Sequence, residues 1–201
     1  MPKVCIIDYK SGNIQSIKAA LDILNISYVV SNQDEKINES SHLILPGVGS
    51  YKSAMLKLNN NINLQNLSNQ VLTKKKPILG ICVGMQIFSS FGYEFSKSEG
   101  LNWIPGTVEK LETNFTLPHI GWNTVHIVKD NKLFLNQDSE FYFLNTFSYR
   151  CKNENHILGK TLYEKNFLSI INKDNIYGVQ FHPEKSQVNG LNLLKNFTTI
   201  I

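Results

Sequence analysis

Short runs of uninterrupted apolar residues alternate, early in this chain, with segments whose apolar residues recur every three or four positions. Val4-Cys5-Ile6-Ile7-Asp8 is the first run. It reads as a strand buried on both faces, because a half-exposed strand would alternate polar and apolar residues. Gly12-Asn13 breaks it, and Ile14, Ile17, Leu21 and Leu24 then recur at helical spacing. Residues 27–30 and 42–45 read as two more short strands, separated by a polar, acidic stretch. Pro46-Gly47-Val48-Gly49 is a loop by composition. Residues 55–72 hold helical spacing interrupted by an asparagine-rich bend, and a strand follows at 77–81. This alternation is the pattern of a parallel sheet covered on both faces.

The second half follows another rule. Residues 107–111, 123–128, 140–144, 168–171 and 176–180 are strand-like, with little helix between them. They suggest an antiparallel extension of the same sheet. Leu191, Leu194 and Phe197 share one face of a closing helix at 190–197. No repeat, low-complexity tail or Pro/Ser-rich linker divides the chain. The expected fold is one α/β domain over residues 1–201. Its sheet is mixed and mostly parallel, flanked by helices, with an antiparallel extension.

Composition excludes several functions. Basic residues outnumber acidic ones by 20 to 16, but nearly all are lysine, with Arg150 the only arginine. Reading nucleic-acid grooves leans on clustered arginine, so nucleic acid is not an expected partner. Cys5, Cys82 and Cys151 are odd in number and widely spaced, which is neither a disulfide framework nor a zinc pattern. A reducing cytoplasm is the expected location. The first ten residues lack the long apolar segment of a signal peptide. The uncharged run 77–93 is shorter than the ~20 residues a membrane helix needs and contains Gly80, Gly84 and Gln86, so no membrane association is expected.

That uncharged run carries the chemistry. In Gly80-Ile81-Cys82-Val83-Gly84 a buried strand turns directly into a helix between two glycines. This is the logic of a nucleophile elbow with cysteine in the place of serine. The turn is expected to hold Cys82 strained and exposed at a helix N-terminus, where the dipole favours the thiolate. The pentapeptide alone fits a buried structural cysteine equally well. A thiolate needs a base and an orienter. His182-Pro183-Glu184-Lys185-Ser186 follows a strand, and its proline lets Glu184 turn back toward the His182 imidazole. By itself this segment also fits a solvated surface turn. Gly47, Val48 and Gly49 could present backbone N–H groups to a developing oxyanion, with the N–H of Val83 as a second donor. An ordinary βα turn would look the same. All three segments stand at the C-terminal ends of strands, where open α/β sheets place their sites. Cys5 and Cys151 read as structural.

Gly80-Ile81-Cys82-Val83-Gly84-Met85-Gln86 together with His182-Pro183-Glu184-Lys185-Ser186 resembles the class I, triad-type glutamine amidotransferases, whose fold is flavodoxin-like. Pro46-Gly47-Val48-Gly49, Pro118-His119-Ile120-Gly121-Trp122-Asn123 and the opening Ile7-Asp8-Tyr9 with Gly12-Asn13 narrow the resemblance. They are similar to the branch that forms the glutaminase subunit of imidazole glycerol phosphate synthase, in histidine biosynthesis. The resemblance implies that Cys82 attacks the side-chain amide of L-glutamine, His182 transfers protons and Glu184 orients His182. It implies a thioester, glutamate and ammonia as products, and no metal or cofactor. Gly47, Val48, Gly49, Val83 and Gln86 would bind the oxyanion and glutamine. The implied partner is a (β/α)₈ barrel cyclase in a heterodimer, with Lys185, Phe147 and Asn123 at the interface.

The chain departs from that pattern at Asn145 and Phe147, where the family usually has histidine and tyrosine, and at Lys10, where glycine is common. These positions leave the triad untouched and bear on the partner. A paralogous glutaminase that feeds a sugar-amidating enzyme of surface polysaccharide synthesis is therefore the alternative. A catalytically silent interaction subunit is a third reading, opposed by the complete Cys82, His182 and Glu184 set.

Overall fold

The computed structural model describes residues 4–129, 131–133 and 138–199. Its first half alternates strand and helix: β1 (Val4–Ile7), α1 (Ile14–Ile23), β2 (Tyr28–Ser31), α2 (Asp34–Glu39), β3 (His42–Leu45), α3 (Tyr51–Asn61), α4 (Leu64–Ser68) and β4 (Ile78–Ile81). A one-turn helix α5 (Val83–Gln86) follows. Then come β5 (Phe91–Gly92), β6 (Ser98–Glu99), β7 (Gly106–Lys110), β8 (His119–Ile127), β9 (Ser139–Asn145), β10 (Phe147–Cys151), β11 (Ile157–Tyr163), β12 (Lys165–Lys173), β13 (Ile176–Val179) and α6 (Gln187–Phe197).

Among the described residues the main sheet has nine strands in the order β2-β1-β3-β4-β13-β12-β11-β8-β9. The strands from β2 to β13 pair in parallel, and those from β13 to β9 pair antiparallel. This is the expected mixed sheet with an antiparallel extension, but it is not mostly parallel: four pairings are parallel and four antiparallel, because the extension is as long as the parallel part. Strands β1, β3, β4 and β13 are buried at every residue, as their continuous apolar sequences require. Helix α1 turns Ile17, Ala20 and Leu21 into the core, three residues on one stripe. It stops at Asn25, which takes a left-handed conformation while Ile26 N–H bonds back to the Leu21 carbonyl.

Several elements differ from the sequence reading. Strand β7 does not extend the main sheet. It pairs with β10 and β5, and β5 with β6, in a separate four-stranded sheet. The chain crosses from one sheet to the other at Thr146, between β9 and β10, and its carbonyl accepts from Leu111 N–H at 2.9 Å. Helix α2 is missing from the sequence reading because Ile37 is its one buried residue, too little for a periodic signal. The asparagines 59–61 do not bend the chain. They lie within α3, and the break falls at Ile62–Asn63, where Asn63 caps α4 by accepting from Asn66 N–H. No helix among the described residues is long and apolar enough to cross a membrane.

Candidate active site

Three neighbouring parallel strands, β3, β4 and β13, end on the same edge of the sheet. The Pro46–Gly49 loop follows β3, Cys82 follows β4, and His182 stands three residues beyond β13. Segments 36 and 100 residues apart in sequence therefore meet in space.

Cys82 sits between strand and helix with φ 53° and ψ −113°, a strained conformation for a residue with a Cβ. Its N–H bonds to the Val179 carbonyl at 2.8 Å, and its own carbonyl accepts from Met85 and Gln86. The strain is as the elbow reading requires, but two expectations fail. Cys82 is only 5% exposed. The helix after it is one turn long, so a helix dipole is a minor influence on the thiol. Activation falls to neighbouring side chains instead.

His182 is placed by aromatic packing. Phe181, just before it, stacks on Phe141 at 4.0 Å and meets Phe143 edge-on. His182 N–H donates to the Tyr142 carbonyl at 2.9 Å, and Ser186 Oγ closes the turn by donating to the His182 carbonyl at 2.6 Å. Within this frame His182 Nδ1 lies 2.8 Å from Glu184 Oε1. The ring and the carboxylate are 1% and 0% exposed, so neither is the solvated group that the segment alone also allowed. Nδ1–H facing the carboxylate leaves Nε2 for the thiol. Burial opposes a charge on His182, but hydrogen bonds and charge interactions with Cys82 and Glu184 outweigh it and push its pKa up to about 10. The imidazole is thereby held as imidazolium beside the sulfur.

Glu184 has a second anchor. Asn13 Nδ2 donates to the same Oε1 that faces His182, while Oε2 is buried without a partner among the described residues. A buried carboxylate satisfied on one oxygen favours a cationic neighbour strongly. Asn13 adopts a left-handed backbone (φ 75°) in the β1–α1 loop. Lys10, in the same loop, is also left-handed (φ 66°), which explains why a glycine suits that position. Tyr9, at the start of this loop, donates its buried hydroxyl to the Pro46 carbonyl at 2.6 Å and so braces the loop after β3.

A pocket opens above the sulfur. Its wall includes Val48, Gly49, Val83, Gln86 and His182, as expected, together with Glu94, Pro118 and the 144–147 corner where the chain changes sheets. Gly47 lies beneath the wall, packed against Val83 and Gly84. Val83 is the first residue of α5, so its N–H has no partner in the helix ladder and can face an oxyanion. Phe147, expected at a partner interface, is in the pocket wall, and its carbonyl accepts from Gln86 Nε2 at 3.1 Å and Asn145 Nδ2 at 3.2 Å. Asn123, also expected at the interface, is half-buried. On β8 it alternates away from Trp122, and its amide bonds the Leu162 carbonyl and His119. Lys185 is exposed, with its ammonium 5.7 Å from the centre of the Tyr142 ring.

Three contributors escaped the sequence reading. Asn13 carried a signal as a polar residue at the break after a buried strand. Gln180 stands two residues before His182, at the bend that follows β13. Glu94 has no local pattern that marks it. The other thiols are unsuited to chemistry: burial raises Cys5 to about 12 and also raises Cys151.

A buried thiol paired with an imidazolium and a carboxylate, under backbone N–H groups at strand ends, defines a cysteine-dependent acyl-transfer enzyme of the α/β class. The model of the family "Glutamine amidotransferase class-I" matches residues 5–201, and the chain belongs to that family. It is 42% identical over 201 residues to imidazole glycerol phosphate synthase subunit HisH 1 of Campylobacter jejuni, a match covering 98% of this chain and all of that one. It is 41% identical to subunit HisH of Leptospira interrogans, covering 97% and 98% of the two chains. A solved glutamine amidotransferase structure superposes with TM-score 0.76 at 15% identity, over 97% of this chain and 96% of that one. The structure of a glutamine amidotransferase from Thermotoga maritima does so with TM-score 0.68 at 18% identity, over 98% and 82%. These two structures speak for the fold.

Proposed function

We propose that this chain is the glutaminase subunit of imidazole glycerol phosphate synthase in histidine biosynthesis. It hydrolyses L-glutamine to glutamate and ammonia and delivers the ammonia to a cyclase subunit. The observation that carries the glutaminase chemistry is the buried Cys82–His182–Glu184 constellation beneath the pocket.

The steps follow from the geometry. The Cys82 proton rests on His182, and the thiolate attacks the amide carbon of glutamine. The carbonyl oxygen takes up the electron pair and is met by the Val83 N–H and the Val48–Gly49 backbone. His182 gives its proton to the leaving nitrogen, which departs as ammonia and leaves a thioester on Cys82. His182 then takes a proton from water, whose oxygen attacks the thioester. Collapse expels the Cys82 thiolate, releases glutamate and leaves the proton on His182, which restores the starting state. Glu184 keeps the ring oriented through both halves and stabilises it whenever it carries the proton. Glu94 supplies a carboxylate in the pocket wall for the α-ammonium of the substrate, and Gln86 supplies an amide.

Ammonia released into water becomes ammonium, which is no nucleophile, so a protein partner that receives it directly is needed. A surface suited to that partner lies on the outer face of the β8–β9 pair. Ile120 and Leu144 stand opposite one another, Trp122 opposite Tyr142, and Lys185 lies over Tyr142. Ile120, Trp122 and Leu144 are 58%, 45% and 38% exposed, an apolar strip with a cation at its edge. Rescue of a histidine auxotroph that lacks this subunit tests the assignment, with Cys82→Ala expected to fail. Glutaminase activity without rescue would transfer the chain to another acceptor enzyme, such as one that amidates sugars.

A further inference from the structure

A second side chain besides His182 reaches the Cys82 sulfur. Gln180 Nε2 lies 3.6 Å from Sγ, placed to donate. Gln180 is fully buried and immediately follows β13. Strands β4 and β13 run in parallel with Ile81 beside Val179. The next step along both brings Gln180 level with Cys82.

An amide side chain can lie either way round, and only its NH₂ end can donate. A chain of bonds settles the direction here. The Phe147 carbonyl can only accept, so it draws the NH₂ of Gln86, at 3.1 Å. The same NH₂ donates to Gln180 Oε1 at 3.0 Å. With its oxygen engaged, Gln180 must turn its NH₂ to the sulfur. A thiol gains little from such a donor, whereas a thiolate that is only 5% exposed gains a charge-assisted hydrogen bond. The need is local. The Leu144 carbonyl is 4.0 Å from Sγ, and a thiol can donate to it but a thiolate is repelled by it.

We propose that Gln180 is a further catalytic residue, whose side-chain N–H holds the Cys82 thiolate and whose direction is set by the Phe147 carbonyl through Gln86. This rests on Cys82 being the nucleophile of the proposed reaction.

Alkylation of Cys82 by iodoacetamide across pH, followed by mass spectrometry of the Cys82 peptide, needs neither substrate nor partner. It therefore reports on Gln180 separately from the identity of the substrate or the acceptor. Gln180→Met removes the donor at similar volume. The midpoint of the alkylation profile should rise by about one to two pH units. In parallel, kcat for glutamine should fall about tenfold or more, with KM nearly unchanged. Gln180→Glu, isosteric and anionic, should raise the midpoint further. Gln86→Met, which keeps Gln180 but frees its direction, should give a smaller rise. A residue that only packs would lower the melting temperature and leave the midpoint in place. An unchanged midpoint in folded Gln180→Met overturns the proposal, and if that variant does not fold, unchanged midpoints in Gln180→Glu and Gln86→Met do so.

Discussion

A Cβ on Gly47 would lie 2.2 Å from the backbone nitrogen of Gly84, and one on Gly84 would lie 2.0 Å from the Leu45 carbonyl oxygen. The loop after β3 and the turn after β4 thus touch backbone to backbone. That contact fixes the Val48–Gly49 peptide relative to Cys82, a distance on which oxyanion binding depends. Neither neighbour is a flexible side-chain tip that could move aside. Gly47→Ala and Gly84→Ala should each destabilise the fold by about 1–3 kcal/mol in urea unfolding. Glutaminase kcat should fall about a hundredfold in protein that remains folded. Full activity in either variant would mean that the loop does not serve the oxyanion.

The His182–Glu184 pair predicts how stability depends on pH. Cys82 and Glu184 outweigh the opposing effect of burial and raise the His182 pKa from 6.5 to about 10. The folded protein therefore holds this proton more tightly than the unfolded chain does. The resulting stability is full below the unfolded value of about 6.5 and is lost as pH rises through about 10. Glu184→Gln removes one source of the rise. The stability gap between wild type and this variant should be widest near pH 6 and narrow toward pH 10, measured by urea unfolding across pH. A gap that widens with pH would contradict a charged His182.

The parallel half of the fold was legible because β1, β3, β4 and β13 are buried throughout, and continuous apolar runs announce that directly. The triad was legible because Cys82, His182 and Glu184 sit in compact segments with distinctive glycine and proline neighbours. Asn13 and Gln180 were not, since their roles arise where a β1 loop and a β13 end meet the triad in space. The crossing at Thr146 was hidden as well. Nothing local tells that β10 leaves the main sheet there and that Phe147 turns its carbonyl into the pocket. Burial of Cys82 was misjudged for a related reason: the wall that covers it comes from residues 144–147, far away in sequence.

Glu94 is tied by Oε2 to the N–H of Tyr51, the first residue of α3, at 2.7 Å, and it lines the pocket. Its place is set by a helix start. Recognition of an α-ammonium requires that charge, whereas the bond to Tyr51 requires only an oxygen. Glu94→Gln keeps the oxygen and removes the charge. KM for glutamine should rise about tenfold while kcat changes little. A glutamine analogue without the α-amino group should be hydrolysed equally well by wild type and variant. A variant that discriminates between the two compounds as wild type does would show that Glu94 is not the amino-group site.

The outer face of β8–β9 predicts the binding partner's footprint. Trp122 meets Tyr142 edge-on with ring centres 6.3 Å apart, and Lys185 covers the same tyrosine. Large aromatic groups left open at the centre of an apolar strip are the usual anchors of an interface. Trp122 packs on the side of the sheet away from Asn123, so its truncation disturbs neither the core nor the pocket. Trp122→Ala should weaken association with the cyclase subunit by about 2 kcal/mol, roughly thirtyfold in Kd by calorimetry. Alkylation of Cys82 in the isolated chain should be unchanged, because nothing in the Cys82–His182–Glu184 arrangement touches that ring. An unaltered Kd would place the partner on another face and leave the apolar strip without this role.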